Sequence, residues 1–424
     1  MANIIDLVNP STFNSSEWIG KGKKYDIKTL PYAAIEACTA ATIIPAEYKK
    51  EFPSYHLSVL EFLKIPLPAS SAALISVQAT GWFSKDVADK NVSYLMSRPL
   101  PSANTLQELM KAFGQSWLDG AQSLVDPRYN DGHDRLPLWT LTFWREMSGI
   151  VQAQSVWRKA EHWLAAEART VDSVGLISSA QNLLPAIPWK GDIGGCSTTL
   201  EFTHLLGTDW LSDTLVDMMM GHLARRARYS AVKKALIGTT LVAESIKASA
   251  AKKDFSPKNS PLLYRYEVQI TSQDIHYLYF PVNVHGNHWI AVVIDIPNKT
   301  IRYGTVQNLF NIHHAKSSVG DSLEGFSPRP NVFMRQVQTW LNTRFGGLFQ
   351  VLHDQLKHGK QEDHFSCGIV TANTIAHTVF GDSLWTHGRR SMARVEWFTT
   401  LVSDHLQNVS DKCILSSNVH VLTI

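Results

Sequence analysis

The sequence predicts an α+β fold behind a mostly helical N-terminal region, and three changes of hydrophobic period along the chain predict it. Between about 104 and 170, apolar residues recur at helical spacing. From 262 to 304 come short runs rich in Tyr, Val and Ile, which read as strands of one central sheet. Beyond 330 the helical spacing returns.

The elements follow in order. "NTLQELMKAFGQSWLDG" sets Leu106, Leu109, Phe113, Trp117 and Leu118 on one helical stripe. In the helix that follows, Trp139, Trp144, Trp157 and Trp163 read as packing residues, not as a ligand cage. Nothing in residues 1–185 names a chemistry, and the Pro- and Gly-rich "PAIPWKGDIGG" marks a boundary near 185–195. Then "DWLSDTLVDMMMGHLARRAR" repeats Leu211, Leu215, Met218, Met219 and Leu223 behind an N-cap at Ser212 or Asp213. "SIKASAAKKDFSPKNSP" reads as an exposed loop. "LLYRYEVQI", "HYLYFPVNV", "WIAVVIDI" and "KTIRYG" read as strands. A helix is expected from Pro330 to Gly346, and a last one from "CGIVTANTIAHTVF", with Cys367 at its start. This divides the chain into an N-terminal region (1–185), a candidate catalytic domain (190–405) and a C-terminal extension (406–424).

Composition narrows the class. The chain has 424 residues, 44% hydrophobic and 18% charged, as in ordinary globular proteins. A net charge of +3 demands neither nucleic acid nor an anionic membrane. The local cluster Arg225, Arg226, Arg228, Lys233 and Lys234 is either a solvated helix face or a patch for an acidic partner. Cys38, Cys196, Cys367 and Cys413 form no CxxC pair, which points to a reducing compartment. The N-terminus lacks a signal-peptide pattern and no long apolar run occurs, so an intracellular protein of nucleus or cytoplasm is expected, with no membrane partner. The N-x-S/T triplets at Asn91 and Asn408 are read as chance.

The chemistry gathers near Cys367. A helix N-terminus favours negative charge, so a cysteine there is placed to act as a thiolate. A thiol nucleophile then needs an imidazole base, an acceptor orienting the imidazole, and a donor for the oxyanion. Gln361, six residues before Cys367, is placed to donate with the Cys367 backbone N–H. Among seventeen histidines, His288 stands out at the head of the strand "HWIAVVIDI". Each has a plainer reading: a cysteine before an apolar helix is often a buried small hydrophobe, and a strand-end histidine is usually just hydrogen-bonded. Asp363, His364, Cys367, His353 and His358 crowd one segment but match no zinc spacing, so no metal and no cofactor is expected.

Taken together, "DWLSD" (Asp209 to Asp213, with Trp210 second), His288-Trp289, Asp321-Ser322-Leu323 and Gln361-x-Asp363-x-x-x-Cys367-Gly368 resemble the ubiquitin-like-protein-specific cysteine proteases, the SUMO-protease family related to the adenovirus endopeptidase. The resemblance covers roughly 190–400. It implies a papain-like α+β fold in which Cys367 attacks, His288 acts as base and then acid, Asp321 orients His288, and Gln361 stabilises the oxyanion. It also implies that Trp289, with Trp210 and Asp213 beside it, lines a narrow slot for the Gly-Gly tail of a ubiquitin-like, SUMO-like modifier. No nucleic acid is required for that.

The chain departs from the family pattern once. His288 and Asp321 stand 33 residues apart, and removing sixteen, Thr305 to Gly320, restores "IRYGDSLEGF". The segment is a tolerated loop with Asp321 still beside His288, a strand continuation in which Asn308 replaces the aspartate, or a retained short intron; the first and third rank above the second. The leading function is thus a cysteine peptidase or isopeptidase acting after modifier C-terminal glycines. The alternative is a catalytically impaired modifier-binding module, with an acyltransferase as a minor option.

Overall fold

The computed structural model describes residues 17–71, 78–167, 174–193, 197–230, 234–284, 286–304 and 331–419. Asp321, Asn308 and the rest of the interrupted motif lie outside the described residues, as does Cys196. The chain folds as two units, Met1–Arg158 and Lys159–Ile424.

In the first unit helices dominate, as expected: α1 (Tyr32–Ala40), α2 (Ala46–Lys49), α3 (Val59–Leu63), α4 (Ala103–Leu118) and the greater part of α5 (Trp139–Glu167), whose residues from Lys159 on count with the second unit. Short strands β1 (Phe83–Ser84), β2 (Ser123–Leu124) and β3 (Leu136–Pro137) pair antiparallel between them. Helix α4 starts where the Ser102 side chain accepts the Thr105 N–H, and it buries all five residues of its expected stripe. Trp144 and Trp157 are buried core residues of α5, and Trp82 packs edge-on against Trp144.

The second unit opens with α6 (Val174–Leu183) and a hairpin of β4 (Asp192–Ile193) and β5 (Ser197–Thr198). It continues through α7 (Asp213–Tyr229), β6 (Ala235–Ile237), α8 (Thr240–Lys252), α9 (Pro261–Ser272), β7 (Tyr277–Val284), β8 (His288–Asp295) and β9 (Thr300–Gly304). It ends with α10 (Asn331–Phe345), β10 (Gln350–Gln355), α11 (Cys367–Phe380) and α12 (Arg390–Val419). The sheet runs β10-β9-β8-β7-β6, with antiparallel pairing in its centre and a parallel strand at each edge.

Period-2 burial explains the layers. Leu278, Phe280, Val282 and Val284 of β7 and Ile290, Val292 and Ile294 of β8 pack on one face with α8, α9 and α10. The opposite face of β8 carries α11. There Ala291 pairs with Gly304, and a Cβ on Gly304 would touch the Thr374 methyl at 3.4 Å, so small residues let α11 approach the sheet.

Two local expectations are corrected. "LLYRYEVQI" is the helix α9, because Leu263, Glu267 and Ile270 are buried at helical spacing and Pro261 occupies its first turn. Tyr264 (45% exposed) and Val268 (43%) face outward, while Tyr266 packs partly against the core. The stretch "SIKASAAK" is not a loop; it completes α8, burying Ile246 and Ser249 before Lys253 ends the helix in the left-handed conformation at φ 54°.

Candidate active site

Three separated pieces of chain meet at the N-terminus of α11. The first is the residue pair ahead of α7, whose N-cap Ser212 accepts the Leu215 N–H at 3.4 Å and donates to Glu201 at 2.6 Å. The second is the head of β8, and the third is the loop 359–366. The Trp289 indole Nε1 donates to the Leu211 carbonyl at 3.2 Å. A Cβ on Gly368 would come within 3.0 Å of the Leu211 side chain, so glycine here lets α11 close on that segment. The backbone N–H groups of Trp289, Gly368 and Cys367 favour negative charge on the Cys367 sulfur.

Cys367 is the first residue of α11 and 3% exposed. Burial pushes its thiol up, and the negative charge of Asp363 adds to this, while the three N–H groups pull it down without cancelling the rise. The helix start alone therefore does not make a resting thiolate in the free protein. His288 begins β8, opposite Val284, and is buried at 8% exposure. Trp289 is likewise buried, whereas Trp210 is 49% exposed and Asp213, the first residue of α7, is exposed.

Gln361 is 3% exposed, and its Nε2 donates to Asp363 at 2.7 Å (carbonyl) and 3.2 Å (Oδ1). In the sequence Asp363 stands out as part of the Gln361-to-Cys367 spacing and of a group of possible metal ligands; the structure makes it the hub of the loop. Its carboxylate accepts the N–H groups of Phe365 (3.0 Å) and Ser366 (2.8 Å) and the Ser366 hydroxyl (2.8 Å). Burial opposes that charge, but the bonds from Ser366, Phe365 and Gln361 outweigh it and hold the carboxyl below its usual range. Arg394, which no sequence signal marked, reaches the same loop from α12.

Three residues of the basic cluster, Arg225, Arg226 and Lys234, are paired with carboxylates, and Lys233 lies outside the described residues. Arg226 makes a two-pronged pair with Asp382 (2.5 and 2.6 Å), Arg225 and His222 share Asp404, and Lys234 pairs with Asp274 at 3.1 Å. Among the described residues no three His, Cys, Asp or Glu side chains converge as a metal group. Among them, too, no helix is long and apolar enough to cross a membrane.

The sequence model of the Ulp1 protease family, C-terminal catalytic domain, matches residues 209–396. Among solved structures, the chain is similar to a SUMO protease Ulp1 with its catalytic cysteine oxidised to a sulfenic acid (15% identity, 55% of this chain and 95% of that one, TM-score 0.39). It is also similar to the C-terminal Ulp1 protease domain in complex with Smt3, the yeast ortholog of SUMO (16% identity, 54% and 96%, TM-score 0.38). A third similarity is to the Xanthomonas campestris effector XopD bound to ubiquitin (17% identity, 45% and 92%, TM-score 0.28). No curated protein matches the chain. The matched span begins one residue before Trp210 and takes in His288, Trp289, Gln361, Cys367 and Arg394. Residues 209–396 thus match the C-terminal catalytic domain of the Ulp1 protease family.

Proposed function

We propose that residues 190–405 form a cysteine peptidase or isopeptidase that cleaves after the C-terminal glycines of a SUMO-like modifier. The observation that carries this reading is the packing of α11, which Cys367 begins, against β8, which His288 begins, with Trp289 tied to Leu211 beside them.

In this reading His288 takes the Cys367 proton, the thiolate adds to the modifier's terminal carbonyl, and the protonated imidazole then gives its proton to the departing amine. Asp321 orients the imidazole. Gln361 donates to the oxyanion, giving up part of its bond to Asp363 as the substrate carbonyl arrives. Trp289 forms the floor of the tail slot, and the exposed Trp210 and Asp213 form its outer rim. The test is cleavage of a SUMO fusion by the full chain: the wild type cuts after the terminal glycine and Cys367→Ser does not. Cutting that survives Cys367→Ser rules the mechanism out.

A second reading, a modifier-binding module with little catalysis, draws on the raised Cys367 thiol together with the sixteen residues between Gly304 and Asp321. It predicts that SUMO binds but the fusion stays intact.

A further inference from the structure

Arg394 is 1% exposed, and among the described residues no carboxylate oxygen lies within ion-pair distance of its guanidinium. Burial of that kind brings its pKa down to about 10, against the pull of the Asp363 and Asp209 charges. Its hydrogen bonds go to main-chain carbonyls instead. Nη1 donates to Phe365 at 3.2 Å, and Nη2 to His204 at 2.7 Å and to Asp209. The guanidinium also stands 5.3 Å from the centre of the Phe365 ring.

Stability does not account for this choice. A buried cation carries a large desolvation cost, and an apolar residue of similar volume usually fills such a site at least as well. What only the planar fork supplies is geometry, because it fixes several acceptors in one plane. The acceptors are significant for their neighbours: Asp209 precedes Trp210 and Leu211, and Phe365 stands two residues before Cys367.

We propose that Arg394 is a positioning residue for the hydrolysis at Cys367, locking the segment before α7 and the loop before α11 in one fixed register. The inference rests on the peptidase reading above. With the register fixed, the Leu211 carbonyl stays aligned for Trp289, and the Cys367 and Gly368 N–H groups stay aimed at the reacting atoms. Loosening it leaves the nucleophile present but misplaced.

The test uses the full chain with Arg394→Gln, a neutral planar donor, and Arg394→Lys, a cation without the fork. Two readouts are taken: kinetics on SUMO carrying a C-terminal fluorogenic amide, scaled to the folded fraction, and amide hydrogen exchange. The Gln variant is expected to lose kcat about 10- to 100-fold with KM within about threefold, and Lys to fall between it and the wild type. Exchange is expected to quicken about tenfold at 209–211 and 365–368 while the β7 and β8 amides keep their protection. Wild-type kcat per folded molecule in both variants overturns the proposal, as does exchange that quickens evenly through the unit. If the wild type itself leaves the fluorogenic amide intact, the peptidase reading fails and the positioning role falls with it, whereas an active wild type with unchanged variants overturns the role of Arg394 alone.

Discussion

The indole of Trp289 hydrogen-bonds the carbonyl of Leu211 across 78 residues of sequence, and that bond joins the strand that starts at His288 to the segment that starts α7. The donor is buried and the acceptor is main chain, so no solvent replaces the bond if it is lost. Trp289→Phe keeps most of the ring volume and removes the donor. We expect it to cost about 1–3 kcal/mol in urea unfolding, the penalty for an unmet buried acceptor. A midpoint equal to the wild type's shows that the bond is not holding these segments together.

Asp363 gives a pH-dependent prediction. Its folded pKa is depressed, so its contribution is present above the unfolded value of about 3.9 and is lost as pH falls through the lower folded value. Asp363→Asn is expected to be less stable than the wild type at pH 7, with the gap closing below about pH 4. Parallel stability curves for the two proteins between pH 3 and 7 contradict the assignment.

The thiol of Cys367 gives the opposite sign. Its folded pKa is raised by burial, so stability is fully present below the unfolded thiol value and declines as pH rises through the folded one. Iodoacetamide labelling of Cys367 in the free protein should therefore have its midpoint above the ordinary thiol value of about 8.5. Cys38, whose thiol burial pushes up to about 11, is expected to stay unlabelled at pH 8 while the first unit is folded. Peptide mass spectrometry reads both sites in one experiment.

Two glycines near the site separate space from chemistry. A Cβ at Gly359 would lie 2.2 Å from the Trp385 carbonyl oxygen, closer than any real contact, so the 359–366 loop or the Trp385 backbone has to move. Gly359→Ala is expected to destabilise by about 1–3 kcal/mol, the usual cost of overpacking. Gly304→Ala meets only ordinary contact, 3.4 Å to Thr374 and 3.5 Å to Leu356, and is expected to be nearly neutral. Thermal melts that rank the two in reverse contradict the packing described here.

Much of the fold around the candidate site is legible in the sequence because its signals are local. A helix that begins with Ser212 and one that begins with Cys367 announce themselves by caps and 3.6-residue spacing, and β7 to β9 by short β-branched and aromatic runs. Helix α9 was misread because Tyr and Val suit strands, and only tertiary burial of Leu263, Glu267 and Ile270 reveals its true face. Residues that act through main-chain carbonyls left no trace. Arg394 is one arginine among several in "GRRSMARVE", and its burial against Phe365, His204 and Asp209 exists only once the chain has folded. Leu211 is apolar in a helical pattern, yet its contribution is a carbonyl oxygen.

Whether Cys367 is the nucleophile is decided by reacting the full chain with SUMO bearing an electrophile at its C-terminal glycine, followed by intact and peptide mass spectrometry. The expected product carries one modifier per chain, linked to Cys367, absent in Cys367→Ser and unchanged in Cys38→Ser. No adduct on the wild type, or an adduct that persists in Cys367→Ser, contradicts this role.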